Sequence, residues 1–244
     1  MKFASIVDPR YNPAEFSDYH LILSHVLIKD KFYRDYYVAL DGGHTVVLDN
    51  GTVENGDPQP ELLLDMAKYA SGTNARLIVV APDHLNNCEG TLKATGEFFQ
   101  SLRDNLGYEI MVVPQGKDSE EWIRCLRLLR EMGNFEFVGI PRVCEEFLGG
   151  RQLLYQAAKN LGFTGLFHLL GIQHNLSEID WAIDKWDVAG VDSSLPIRAA
   201  SIGMPAKDIR DLRLVPDRED YLEEWEPTVK QNIKECCEYV SGRP

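Results

Sequence analysis

Eight short apolar segments recur along this chain, each separated from the next by a longer stretch, and that alternation constrains the fold more than any other feature. The segments are 3–7, 20–26, 45–48, 76–81, 109–114, 136–140, 166–170 and 188–191. Most are rich in Val, Ile and Leu with little polar alternation, as strands buried on both faces are. Helical periodicity falls between them at 60–70, 91–105, 119–132, 151–161 and 176–185. Asp118 ahead of Ser119, Glu120 and Glu121 sets an acceptor and negative charge at a helix start, and Asn175 ahead of Ser177 and Glu178 reads the same way. Gly107, Gly133 and Gly162 stand where helices should stop. This spacing predicts parallel β/α units. Eight of them favour a closed (β/α)8 TIM-type barrel over an open doubly wound sheet, which remains the second architecture. One domain over residues 1–244 suffices, because such barrels run to about 250 residues. An acidic segment, 218–241, is expected to close the chain as a C-terminal helix.

Composition narrows the function classes. The 25 Lys and Arg against 38 Asp and Glu leave a net charge of −13. That balance argues against broad, nonspecific nucleic-acid binding, which rests on phosphate neutralisation. It leaves room for a local basic groove, since residues 198–218 hold five Lys or Arg against three Asp. A hydrophobic share of 44% and a charged share of 26% are ordinary for a globular protein. No stretch approaches ~18 uncharged apolar residues, so no membrane-spanning helix is expected. The N-terminus has no long apolar run, so no signal peptide is expected. Five scattered cysteines without a CxxC read as reduced thiols in a cytoplasmic protein without structural zinc. Neither GxGxxG after the first strand nor GxxxxGK[ST] occurs, so those phosphate cradles are absent.

In a β/α barrel the chemistry gathers at the C-terminal strand ends. Asp49-Asn50-Gly51, Asp83, Gln115, Arg142 and Asp192-Ser193-Ser194 all fall there. Three aspartates converging on one mouth suit a division into nucleophile and acid/base roles. Gln115 adds an amide that both donates and accepts, which matches the edge of a purine. Each aspartate alone also reads as a helix cap, and Asp49-Asn50-Gly51 as an ordinary turn. The same carboxylates with His84 would suit a divalent ion, so a metal-dependent barrel hydrolase stays open. His168 falls inside a strand and reads as a core histidine. The aromatic run from Phe32 to Tyr37 reads as a helix face packed on the barrel.

These motifs, in this order, resemble the tRNA-guanine transglycosylase superfamily. The likeness is to its short form, the 7-deazaguanine DNA transglycosylases (DpdA type) of phages and bacteria. Val191-Asp192-Ser193-Ser194-Leu195-Pro196-Ile197-Arg198 resembles the family's FDCVLPTR segment, which makes Asp192 the expected nucleophile. Leu48 to Glu54 resembles TDSGGFQ, which makes Asp49 the expected general acid/base, with Asn50 beside it in the base pocket. Ala81-Pro82-Asp83 and Val113-Pro114-Gln115-Gly116 resemble the strand ends that read the guanine edge. Gly139 and Ile140 fall where a GGL segment supplies backbone contacts. The chain departs from the family at Thr52 and Glu54, which replace Gly and Gln, and it has no CxCxxC…H zinc subdomain.

The resemblance implies base exchange: guanine in DNA replaced by a 7-deazaguanine, expected to be the 7-cyano form, without metal or redox cofactor. The missing zinc subdomain favours DNA over tRNA, and a tRNA-acting paralogue stays as the alternative. The target base must be flipped or single-stranded. Arg198, Lys207, Arg210 and Arg213 are the expected backbone contacts, with Arg142 and Arg151 as further candidates. A solvated loop is the other reading of the basic stretch. The net charge makes a partner protein that delivers the DNA a reasonable expectation.

Overall fold

The computed structural model describes residues 1–40, 42–56, 63–65, 67, 74–101, 107–217 and 221–242, with the side chains of Glu54 and Asn55 excepted. Eight strands form one sheet: β1 (Lys2–Ser5), β2 (Tyr19–Leu23), β3 (Thr45–Asp49), β4 (Arg76–Val80), β5 (Glu109–Val112), β6 (Phe137–Pro141), β7 (Leu166–Leu170) and β8 (Val188–Ser193). All pairings are parallel, and the order runs β1-β8-β7-β6-β5-β4-β3-β2. The first strand pairs with the last, so the sheet is a nearly closed barrel of the (β/α)8 type and not an open doubly wound sheet. At the β1–β2 seam a side chain replaces the ladder. The Ser17 hydroxyl donates to Phe3 O at 2.7 Å and accepts from the Tyr19 amide at 3.1 Å.

The strands form where apolar residues run without interruption, because both faces are covered. Ala4, Tyr19, Leu21, Val47, Ile78, Val80, Met111, Val113 and Phe137 fill the barrel interior. Alternate residues such as Phe3, Ile22, Leu48, Val79 and Val138 pack outward against helices. The predicted strand over 20–26 stops at Leu23, and a short helix, α1 (Ser24–Lys29), takes over. A buried helical turn and a buried strand are both short apolar runs, so periodicity alone does not part them.

The helices follow the same logic. The aromatic run forms α2 (Lys31–Val38), with Tyr33 and Tyr37 buried. A single turn, α3 (Thr52–Asn55), follows β3, and α4 (Cys88–Ser101) follows β4. Asp118 caps α5 (Ser119–Met132) by accepting from the Glu121 amide at 2.9 Å. After α6 (Gly150–Asn160), Gly162 adopts φ +79° and ends the helical turn. Asn175 caps a 3-10 turn that leads into α7 (Asp180–Ile183), and β8 runs into α8 (Leu195–Ser201). The helix expected over 60–70 lies mostly outside the described residues.

The C-terminal helix, α9, spans Glu226–Val240 and not the whole acidic segment. Pro227 decides where it starts: proline is tolerated in a first turn and breaks a helix interior. The fully buried Asn232 fastens α9 to the barrel. Its Oδ1 accepts from the Ala206 amide at 2.9 Å, and its Nδ2 donates to Pro196 O at 3.1 Å. No described helix is long and apolar enough to cross a membrane.

Candidate active site

Period-two geometry aims the strand-end residues inward. Val47 lies in the barrel interior, so Asp49 two residues on points into the mouth; Val113 sets Gln115 in the same way. The Asp49 carboxylate accepts from the Gly51 amide at 2.7 Å, so the turn reading and the site reading hold for the same side chain. Asp49 is partly exposed, whereas Asn50, Asp83, Gln115 and Asp192 are buried.

Asp83 is the centre of a polar cluster drawn from three successive strand ends. Its Oδ1 accepts from Asn50 Nδ2 at 2.7 Å, and its Oδ2 accepts from Gln115 Nε2. Asn50 also donates to Ala81 O at 2.8 Å and accepts from the Thr52 amide at 2.9 Å. Gln115 Oε1 accepts from the Asn86 amide at 3.2 Å, which fixes which end of the amide faces Asp83. The Thr52 hydroxyl donates to Asp83 O at 3.2 Å, so this departure from the family pattern ties two loops together. The side chain of Glu54, the other departure, lies outside the described residues. Burial raises the Asp83 carboxyl from 3.8 to about 6, and the donors from Asn50 and Gln115 only partly offset this. Each carboxylate oxygen keeps a second lone pair, and Gln115 keeps a second N–H. The cluster therefore has acceptors and a donor to spare.

Asp192 sits on β8 in a second chain of hydrogen bonds. Its Oδ1 is 2.8 Å from His168 Nε2, and His168 Nδ1 is 2.8 Å from the Tyr19 hydroxyl. His168 is a core histidine, as its position in the strand implied, but its partner is the expected nucleophile. Neither Tyr19 nor His168 stood out as functional in the sequence. The signal was register: His168 pairs with Gly190, two residues before Asp192, and a lone polar residue in Leu166–Leu170 faces the same interior.

Gly139 and Ile140 lie in β6. A Cβ at Gly139 would come within 2.7 Å of Leu170 and 3.0 Å of Val113, so this glycine makes room in the packed interior. The Ile140 side chain packs outward in the helix-facing core.

The expected backbone contacts need correction. Arg198 is buried and donates to Leu212 O at 2.6 Å and to Val215 O, so it clamps the segment after α8 and is turned away from solvent. Arg151 is fully buried against Glu145, Glu178 and Gly171 O. Arg213 is engaged by Asp211 at 2.8 Å and Glu146 at 3.0 Å. Lys207 reaches Glu235 only at 3.8 Å. Arg210 and Arg142 are exposed and make no ion pair among the described residues. Arg198, held by backbone carbonyls, and Arg151, held by two glutamates and a carbonyl, are buried clamps, which sequence position alone does not reveal.

Among the described residues no group of three or more His, Cys, Asp or Glu side chains is arranged to hold a metal ion. All five cysteines are free thiols, four of them buried. No protein-family model matches the chain, and no curated protein matches it.

Proposed function

We propose that this protein is a base-exchange glycosyltransferase that replaces guanine in DNA with a 7-deazaguanine. The observation that carries the reading is the buried Asp83–Gln115–Asn50 cluster, which lies at the same C-terminal strand ends as Asp49 and Asp192. A guanine edge offers two adjacent N–H donors and one carbonyl. The spare lone pairs of Asp83 match the donors, and the spare N–H of Gln115 matches the carbonyl. Burying these groups makes the match selective, because a base that leaves them unpaired costs free energy.

Asp192 attacks C1′ through a carboxylate oxygen, and the bond from C1′ to N9 of guanine breaks. Asp49, protonated at that stage, gives its proton to the departing base. The result is an aspartyl-glycosyl enzyme and free guanine. The 7-deazaguanine then enters the same pocket and loses its N9 proton to the Asp49 carboxylate. Its N9 forms the new bond to C1′ and Asp192 leaves as a carboxylate. Two displacements retain the configuration at C1′. The target nucleotide must leave the base stack, which costs a few kcal/mol in a duplex and little in single strands.

The test is to incubate the protein with guanine-containing DNA, and separately with tRNA, plus 7-cyano-7-deazaguanine. Mass spectrometry of the digested product reads the modified nucleoside, with Asp192→Ala as control. Modified deoxynucleoside that is lost in the variant is the expected result. Modification of tRNA alone moves the protein to the RNA-acting branch. No change in either substrate overturns the reading.

A further inference from the structure

The exchange chemistry uses Asp192 but leaves two polar side chains beneath it unexplained. Tyr19 and His168 are 2% and 0% exposed, deep in an interior lined by apolar side chains such as Leu21, Val47, Ile78, Met111 and Phe137. Groups of this kind are costly inside a core unless they are fully paired. With Asp192 they span three strands: Tyr19 at the start of β2, His168 in the middle of β7 and Asp192 near the end of β8.

The path is built for this chain. Tyr19 crosses the barrel interior over Gly190, where a Cβ would lie 2.5 Å from its ring. The Tyr19 and His168 rings sit 5.6 Å apart, centre to centre, at a 33° tilt. Only a residue without a side chain at position 190 lets the phenol reach the imidazole.

The proton positions follow from pairing. His168 Nδ1 is the hydrogen-bond partner of the Tyr19 hydroxyl among the described residues. A buried phenol must donate its proton or leave it unpaired. Burial and the nearby Asp192 carboxylate both raise the Tyr19 hydroxyl well above its ordinary value, so it stays a donor. His168 Nδ1 is then an acceptor, and the ring proton sits on Nε2, aimed at Asp192 Oδ1.

Resting on the base-exchange reading, we propose that Tyr19 and His168 are positioning residues. They hold a neutral Nε2–H imidazole against Asp192 Oδ1 and leave Oδ2 as the oxygen that attacks C1′. The arrangement serves both halves of the reaction. Before attack it fixes the carboxylate rotamer. In the glycosyl-enzyme Oδ1 is the ester carbonyl oxygen, still bonded to His168. When the bond from C1′ to Oδ2 breaks, charge returns to a carboxylate that already has a donor. Neither residue touches the base or the DNA, so the effect falls on turnover and not on binding.

The experiment compares wild type, Tyr19→Phe, His168→Gln and His168→Leu in the full-length protein. Steady-state exchange is measured on guanine-containing DNA with 7-cyano-7-deazaguanine. Tyr19→Phe keeps the ring that fills the core and removes only the hydroxyl. It should lower kcat at least tenfold, with KM for DNA and base within twofold. His168→Gln keeps an N–H near the Nε2 position and should retain more activity than His168→Leu. In long-range 1H–15N spectra of histidine-labelled protein, the ring whose signals vanish in His168→Gln should be the Nε2–H tautomer. An active wild type whose Tyr19→Phe variant stays within twofold in kcat overturns this role alone. So does KM rising in step with the loss, or an Nδ1–H or doubly protonated ring. A wild type that exchanges no base overturns the function proposed above and this role with it.

Discussion

Asn50 donates its side-chain amide to Asp83 Oδ1 across 2.7 Å, from the neighbouring strand end, and so holds a buried carboxylate in a fixed rotamer. That carboxylate titrates near neutrality because burial outweighs the donors around it. On the proposed function, its charge is part of how a base is recognised.

Free-base affinity should depend on pH through Asp83. The deprotonated carboxylate accepts the two N–H groups of a guanine edge, and the protonated form does not. With the carboxyl at about 6, affinity for 7-cyano-7-deazaguanine should fall roughly tenfold between pH 7.5 and 5. Calorimetric titration reads this directly, and a flat affinity across that range would refute the role of Asp83.

The same group shapes stability. Its folded value, raised from 3.8 to about 6, means that the fold favours the protonated form. That contribution is fully present below about 3.8 and is lost as pH rises through 6, a change of about 3 kcal/mol. His20 acts in the opposite sense. Burial, with His44 nearby, lowers it from 6.5 to about 4, so its contribution is present above 6.5 and is lost as pH falls toward 4. Between pH 6 and 4 the two offset each other. Asp83→Asn should leave the His20 slope exposed, and its urea midpoint should fall more steeply than wild type from pH 6 to 4. Parallel curves for the two proteins would sink this account.

The two aspartates proposed as catalytic should fail differently. Asp192→Ala removes the proposed nucleophile, so no DNA–protein adduct should survive a denaturing gel. Asp49→Asn keeps the nucleophile and removes the proton carrier, and exchange should slow by about 10²- to 10⁴-fold. Equal adduct yield in wild type and Asp192→Ala would rule out covalent catalysis at this residue.

The arginines separate into clamps and contacts. Arg198→Ala removes the side-chain donor to Val215 O and one of the two donors to Leu212 O, whose other donor is the Val215 amide, and should cost about 1–3 kcal/mol of stability. Arg142→Glu and Arg210→Glu should leave stability nearly unchanged, weaken DNA binding, and each reduce the salt slope by about 1. Binding isotherms at several salt concentrations distinguish the two classes. Unchanged DNA affinity in both charge reversals would remove Arg142 and Arg210 from the interface.

Gly190→Ala tests the interior path of Tyr19. The added methyl would meet the Tyr19 ring at 2.5 Å and Lys2 O at 3.0 Å. Overpacking of this kind costs about 1–3 kcal/mol, readable as a lower denaturant midpoint. A variant as stable as wild type would show that Tyr19 has room to move.

The eight strands and their order along the chain were legible from the sequence, because strands covered on both faces must be apolar throughout. Asp49, Asp83, Gln115 and Asp192 were legible as strand-end residues for a related reason: polar side chains survive there only where the apolar run stops. The end of β2 was less legible, since α1 continues the same buried run. The start of α9 was written in Pro227, although the acidic run before it disguised the boundary.

What tertiary structure alone decided is which polar groups meet. Asn50 and Asp83 are 33 residues apart, His168 and Asp192 are 24, and Tyr19 and His168 are 149. Their pairing depends on strand register and on Gly190 opening the interior. Local pattern determines whether a segment is a strand and which face it buries. It carries no information on which inward-facing residue of one strand stands level with which residue of another. Barrel closure sets that alignment. It turns a histidine that reads as core into the partner of an aspartate, and an arginine that reads as a phosphate contact into a buried clamp.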